Sequence, residues 1–168
     1  MTGRRFLLVA LSGAMAAMAA PAAATDWRVA ASGAEQSGGY SIHLVDKDSV
    51  GRQGDHATFS MQIVYQRAQE NGRFNRAVDR ADANCRDHSL TLVSQEFFLG
   101  GRRTGRNEAQ LTQQIQPGWA LASVIDAACS GQFSGERVYD VGMIAGSMFE
   151  IMEAEAGQRR GAARQGRN

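Results

Sequence analysis

The sequence predicts an α+β domain in which an antiparallel sheet of about five or six strands packs against a short helix and a longer C-terminal helix. Three observations predict it. Between Tyr40 and Tyr65 apolar residues recur at every second position in two separate runs, the period of strands with one buried face. The pair Pro117-Gly118 then breaks the sheet-like part of the chain, because proline cannot donate to a ladder. Beyond it, apolar residues recur twice at helical spacing. A length of 168 residues, 43% of them apolar and 21% charged, suits one ordinary globular domain and excludes a disordered, collagenous or polytopic membrane chain.

Residues 1–24 read as a signal peptide. Arg4 and Arg5 precede an apolar run from Phe6 to about Ala20, and Pro21-Ala22-Ala23-Ala24 offers the small residues a signal peptidase accepts, with cleavage expected after Ala24. The run is rich in weakly apolar alanine and shorter than the ~20 residues of a membrane span. No cysteine stands at the cleavage point, so a lipid anchor has no sulfur to use. The expected product is periplasmic or secreted, with neither a transmembrane nor a lipid anchor.

The strands follow in order. Trp27 to Ala31 is a short candidate. Tyr40, Ile42 and Leu44 alternate with Ser41, His43 and Val45, and Asp46-Lys47-Asp48 signals a turn. The clearest strand runs from Ala57 to Tyr65, with Ala57, Phe59, Met61, Ile63 and Tyr65 on one side. On this pattern His43 and His56 fall on faces expected to meet water. Leu90 to Leu99 is rich in β-branched and aromatic residues, and Gly100-Gly101 after it suits a hairpin turn, with Gln110 to Gln116 expected to return. Phe74 to Cys85 is ambiguous: Phe74, Ala77, Val78, Ala81 and Cys85 fit a helix slightly better than an edge strand.

After Pro117-Gly118, the residues Trp119, Ala122, Val124, Ile125, Ala128 and Cys129 define the short helix, expected to end near Gly131. Val138, Val141, Ile144, Ala145, Met148 and Met152 define the longer one, with Asp140 near its start and Gly157 just past its expected end. Such a stripe is expected to lie on the sheet. The domain then covers residues 25–156, and 157–168 are expected to be a disordered tail, since glycine, alanine, glutamine and four arginines without an apolar period bury too little to offset ordering entropy.

Cys85 and Cys129 are the only thiols, and in an exported chain they are expected to pair as a disulfide. Without CxxC spacing two thiols make a poor zinc site. The net charge is +1, which gives no global field for nucleic acid. Residues 25–156 hold 12 basic against 17 acidic residues.

The order of these features resembles the surface-adhesin protein E family of small exported bacterial proteins. The likeness is carried by Trp27, by Tyr40-Ser41-Ile42-His43-Leu44-Val45-Asp46, by Cys85, by Phe97-Phe98 with the glycines after it, and by Ile115-Gln116-Pro117-Gly118 leading to Cys129. It extends from Trp27 to Cys129. It implies an antiparallel sheet against one or two helices, the Cys85–Cys129 bridge, and a strand over Phe74 to Cys85, against the periodicity. The family is named for adhesion to host matrix proteins. The second helix, the arginine-rich tail and the missing lipoprotein cysteine depart from its adhesin pattern.

Three function classes follow. The leading one is a non-catalytic envelope protein binding a macromolecular or polyanionic partner through loops, with Arg102, Arg103 and Arg106 crowning the hairpin as donors for carboxylate, sulfate or phosphate. The second is haem or small-ligand capture, with His43, His56, His88, Met61 and Tyr65 as the candidate ligands. The third is an enzyme, but the chain holds no GxSxG, HExxH, SxxK or phosphate loop. No cofactor, metal or catalytic residue is assigned. Asp46 and Asp48 read as a solvated pair on a turn.

Overall fold

The computed structural model describes residues 25–108 and 110–165; the expected leader, residues 1–24, lies outside the described residues. Strands β1 (Trp27–Ala34), β2 (Tyr40–Gln53), β3 (His56–Gln69), β4 (Phe74–Asn84), β5 (Ser89–Leu99) and β6 (Arg102–Asn107) pair with their sequence neighbours in an antiparallel meander. A short β7 (Leu111–Gln114) takes the other half of β5. After helix α1 (Ala120–Ser130), the two-residue β8 (Arg137–Val138) joins β1, and helix α2 (Val141–Gln165) follows. The class is the expected α+β, but the sheet has eight strands rather than five or six. The surplus over six comes from β6 and β8, which are short and lack an apolar alternation; ladder bonds to β5 and β1 define them.

Each face of the sheet carries one helix. On the first face Val45, Ala57, Phe59, Met61, Ala81 and Leu90 meet Ala122, Val124, Ile125 and Ala128 of α1. On the second, Ile42 and Leu44 meet Val138 and Ala145, with Trp27, Val64, Ile144 and Met148 packed around them. α2 makes its main contacts with β2 and β3, which among the described residues leaves most of the second face of β4, β5 and β6 uncovered. Strand β2, central and covered on both sides, is buried without interruption from Ser41 to Asp46.

Four sequence expectations change. The signal at Asp46-Lys47-Asp48 is a bulge, not a turn. Here β2 shifts register against β3 between Asp46 and Gly51. Asp46 Oδ1 accepts from the backbone N–H of Asp26 at 3.0 Å and of Asp48 at 3.3 Å, and the Ser49 hydroxyl donates to the Asp46 carbonyl at 2.7 Å. The irregular backbone is thus satisfied internally and β2 runs on to Gln53.

Second, Phe74 to Asn84 is strand β4, as the family resemblance implies. Ala77, Asp79, Ala81 and Ala83 form its buried row, and Val78 stands on the opposite side. A carboxyl in the buried row and a valine in the other hide the period of two. Third, the hairpin returns at once: Leu99 faces Arg102 across Gly100-Gly101, so the strand expected from Gln110 is preceded by β6. Fourth, α2 does not stop at Gly157 but continues to Gln165, into the segment expected to be tail.

Cys85 and Cys129 form a disulfide. It ties the end of β4 to the last turn of α1, at the rim of the first-face core.

Candidate functional site

Two surface regions gather polar groups that the core does not need. The first is the uncovered half of the second face. Register places Arg76 beside Phe98, and Phe98 beside Arg103. One row on, Val78, Glu96 and Arg106 align, and Arg80 aligns with Ser94. The register shift of β6 between Phe97 and Phe98 places both Arg103 and Arg106 on this face, three positions apart. Both reach Glu96, at 3.0 and 3.9 Å, and Arg106 also pairs with Glu108 at 2.6 Å. The Arg76 guanidinium lies 4.4 Å from the centre of the Phe98 ring. Of the three arginines expected to crown the hairpin, Arg103 and Arg106 therefore share a face, whereas Arg102, next to Arg103 on an extended strand, points to the other. All three lie on edge strand β6, not on a loop.

The second region is a half-open groove of about 970 Å³ on the first face, between the β1–β2 hairpin and the start of α1. A turn with Pro117 and Gly118 (φ 87°) at its centre, closed by the Trp119 N–H on the Gln116 carbonyl at 3.2 Å, sets Trp119 at the groove's mouth with half of its surface exposed. Tyr65 and Ile63 line it from β3. From β2 come Ser41 and His43, 1% and 5% exposed because α1 covers this face, although His43 was expected to meet water. His43 Nε2 lies 3.0 Å from Ser41 Oγ, and the Ser41 hydroxyl also bonds Glu35 Oε1. His43 Nδ1 is buried and has no partner among the described residues, so a proton there would be a donor without an acceptor. The consistent arrangement has Nε2–H donating to Ser41 and Ser41 donating to Glu35.

Burial pushes the His43 pKa down to about 4, which keeps the ring neutral. This order of bonds is not a nucleophile with its base: the serine proton is committed to the carboxylate, and the imidazole donates rather than accepts. Sequence reasoning missed Glu35 and Trp119 as site residues, since hairpin geometry and a turn place them, not a motif.

Of the proposed haem ligands, His43, Tyr65 and His88 line this groove, but His56 and Met61 do not join them. His56 stands on the second face, paired with Asp82 at 3.0 Å, while Met61 is a core residue on the first. Tyr65 packs edge-on against Phe74, and burial raises its pKa. His88 approaches Asp126 of α1 at 3.8 Å. Among the described residues no group of three or more His, Cys, Asp or Glu is placed to hold a metal ion.

The family model for surface-adhesin protein E matches residues 28–130. The chain belongs to the surface-adhesin protein E family. The match runs through the β-meander to the end of α1 and includes the disulfide, so α2 lies beyond the matched part of this surface-adhesin protein E chain. Family membership implies an exported protein whose partners are extracellular. Among solved structures, the selenomethionine form of Haemophilus influenzae protein E is similar, at 20% identity and a TM-score of 0.42, covering 54% of this chain and 81% of that one. Among curated proteins none matches. Among the described residues of this family member no helix is long and apolar enough to cross a membrane.

Proposed function

We propose that this surface-adhesin protein E family member is a non-catalytic protein of the periplasm or the surrounding medium that binds an acidic or sulfated macromolecule. The observation that carries the reading is the uncovered second face of β4, β5 and β6, where Arg76, Arg80, Arg103 and Arg106 surround Glu96. A sheet face left open by both helices is a flat surface of the kind a large partner needs. Planar guanidiniums on adjacent strands suit carboxylate, sulfate or phosphate groups spaced along a polymer. The surface is strand rather than loop, which fixes the spacing of the donors.

Replacing Arg80, Arg103 and Arg106 together with alanine is expected to abolish salt-sensitive retention on immobilised heparin. These side chains are exposed, so stability should change by no more than about 1 kcal/mol. Retention equal to that of the unaltered protein overturns the reading.

A further inference from the structure

The groove beneath Trp119 has the opposite electrostatic character from the arginine face. Its lining includes two carboxylates, Glu35 and Asp126, and no lysine or arginine. Its two imidazoles differ: His43 is neutral and closed off, and His88 sits beside Asp126. Two aromatic side chains, Trp119 and Tyr65, complete it.

We infer that this groove binds an organic cation: an ammonium group carried on an apolar or aromatic body, seated against Trp119 with its charge toward Glu35. Three features support this ligand class. Trp119 is half exposed although it precedes a helix that could have buried it, and an indole face is the strongest aromatic partner for a cation. Glu35 is held by Ser41 through Oε1, which leaves Oε2 without a partner among the described residues. The Ser41 hydroxyl is in turn oriented by His43, two residues along the same strand and buried beneath α1. That chain fixes the carboxylate before a ligand arrives, so little ordering is left to oppose binding. His43 and Ser41 are positioning residues here, and Glu35 and Trp119 make the contacts. A groove of about 970 Å³ is larger than one ammonium group requires, which is why the cation is expected to carry a body.

The test is calorimetric titration of the purified protein with benzyltrimethylammonium, benzyl alcohol and phenylmethanesulfonate. Saturable one-to-one binding of the cation is expected, with the neutral and anionic probes at least tenfold weaker. Glu35→Gln keeps an acceptor for Ser41 and should weaken cation binding at least tenfold at an unchanged melting temperature; Trp119→Ala should weaken it similarly. The triple arginine variant should bind the cation as the unaltered protein does, which separates this site from the polyanion surface. Equal affinity for benzyl alcohol, no cation binding at millimolar concentration, or full affinity in Glu35→Gln each overturns the inference.

Discussion

His43 and Asp79 lie on the same face of the sheet, one cross-strand row apart, and burial moves their proton affinities in opposite directions. His43 aligns with Ile63 and Ala77; the next row holds Val45, Met61 and Asp79. Asp79 is 1% exposed, accepts from Gln95 Nε2 at 3.3 Å through Oδ1, and leaves Oδ2 buried without a partner among the described residues. Desolvation raises its pKa to about 6, and lowers that of His43 to about 4.

The two shifts make opposing contributions to stability over one pH range. Between about 4 and 6.5 the unfolded chain binds the His43 proton more readily than the folded protein does, so this histidine makes stability rise with pH. Between about 3.8 and 6 the folded protein holds the Asp79 proton more tightly, so this aspartate makes stability fall with pH. Each contribution is on the order of 3 kcal/mol across its range. Urea denaturation should show a shallow net dependence for the unaltered protein from pH 4 to 6.5. Asp79→Asn should become more stable as pH rises through that range and His43→Gln less stable; parallel profiles for both variants would disprove the assignment.

The disulfide closes a long loop, its cysteines standing 44 positions apart in sequence. Cys85→Ala with Cys129→Ala should lower stability by about 4 kcal/mol. Denatured, unreduced protein should show no free thiol.

Removing Asp46 tests the bulge. Asp46→Ala leaves the Asp26 N–H without its carboxylate acceptor at the start of the sheet, and a loss of about 1–3 kcal/mol is expected in urea denaturation. Asp48→Ala should change little, because its backbone, not its side chain, makes the contact with Asp46. Equal losses from the two substitutions would refute the distinction.

Gly131 ends α1 in the left-handed conformation (φ 70°), its N–H bonded to the Ala127 carbonyl. Nothing lies within 4 Å of the Cβ position there, so Gly131→Ala isolates the backbone term and should cost about 1 kcal/mol. Asn, which tolerates this conformation better, should cost less; the opposite ranking in melting experiments would argue against this cap.

Several elements were legible because their signals are local. The β3 alternation from Ala57 to Tyr65 and the end of α1 at Gly131 both stand as the residues imply. β4 was not legible from periodicity, since Asp79 occupies a buried position and Val78 an outward one; only the family resemblance pointed to a strand. Nor were the arginines: Arg102, Arg103 and Arg106 lie within five positions of one another, but a register shift decides which of them share a face. Glu35, Ser41, His43 and Trp119 come from three segments and carry no common motif.

By itself the sequence determined the α+β class, the family and the pairing of its two cysteines, because backbone periods, turn residues and thiol count act over a few positions or need no geometry. The placement of α1 and α2 on opposite faces was decided only by the tertiary structure. That placement buries His43, exposes the arginine face and opens the groove under Trp119. The reason is physical: a strand's period states which residues share a side, but which side loses its water depends on what packs there.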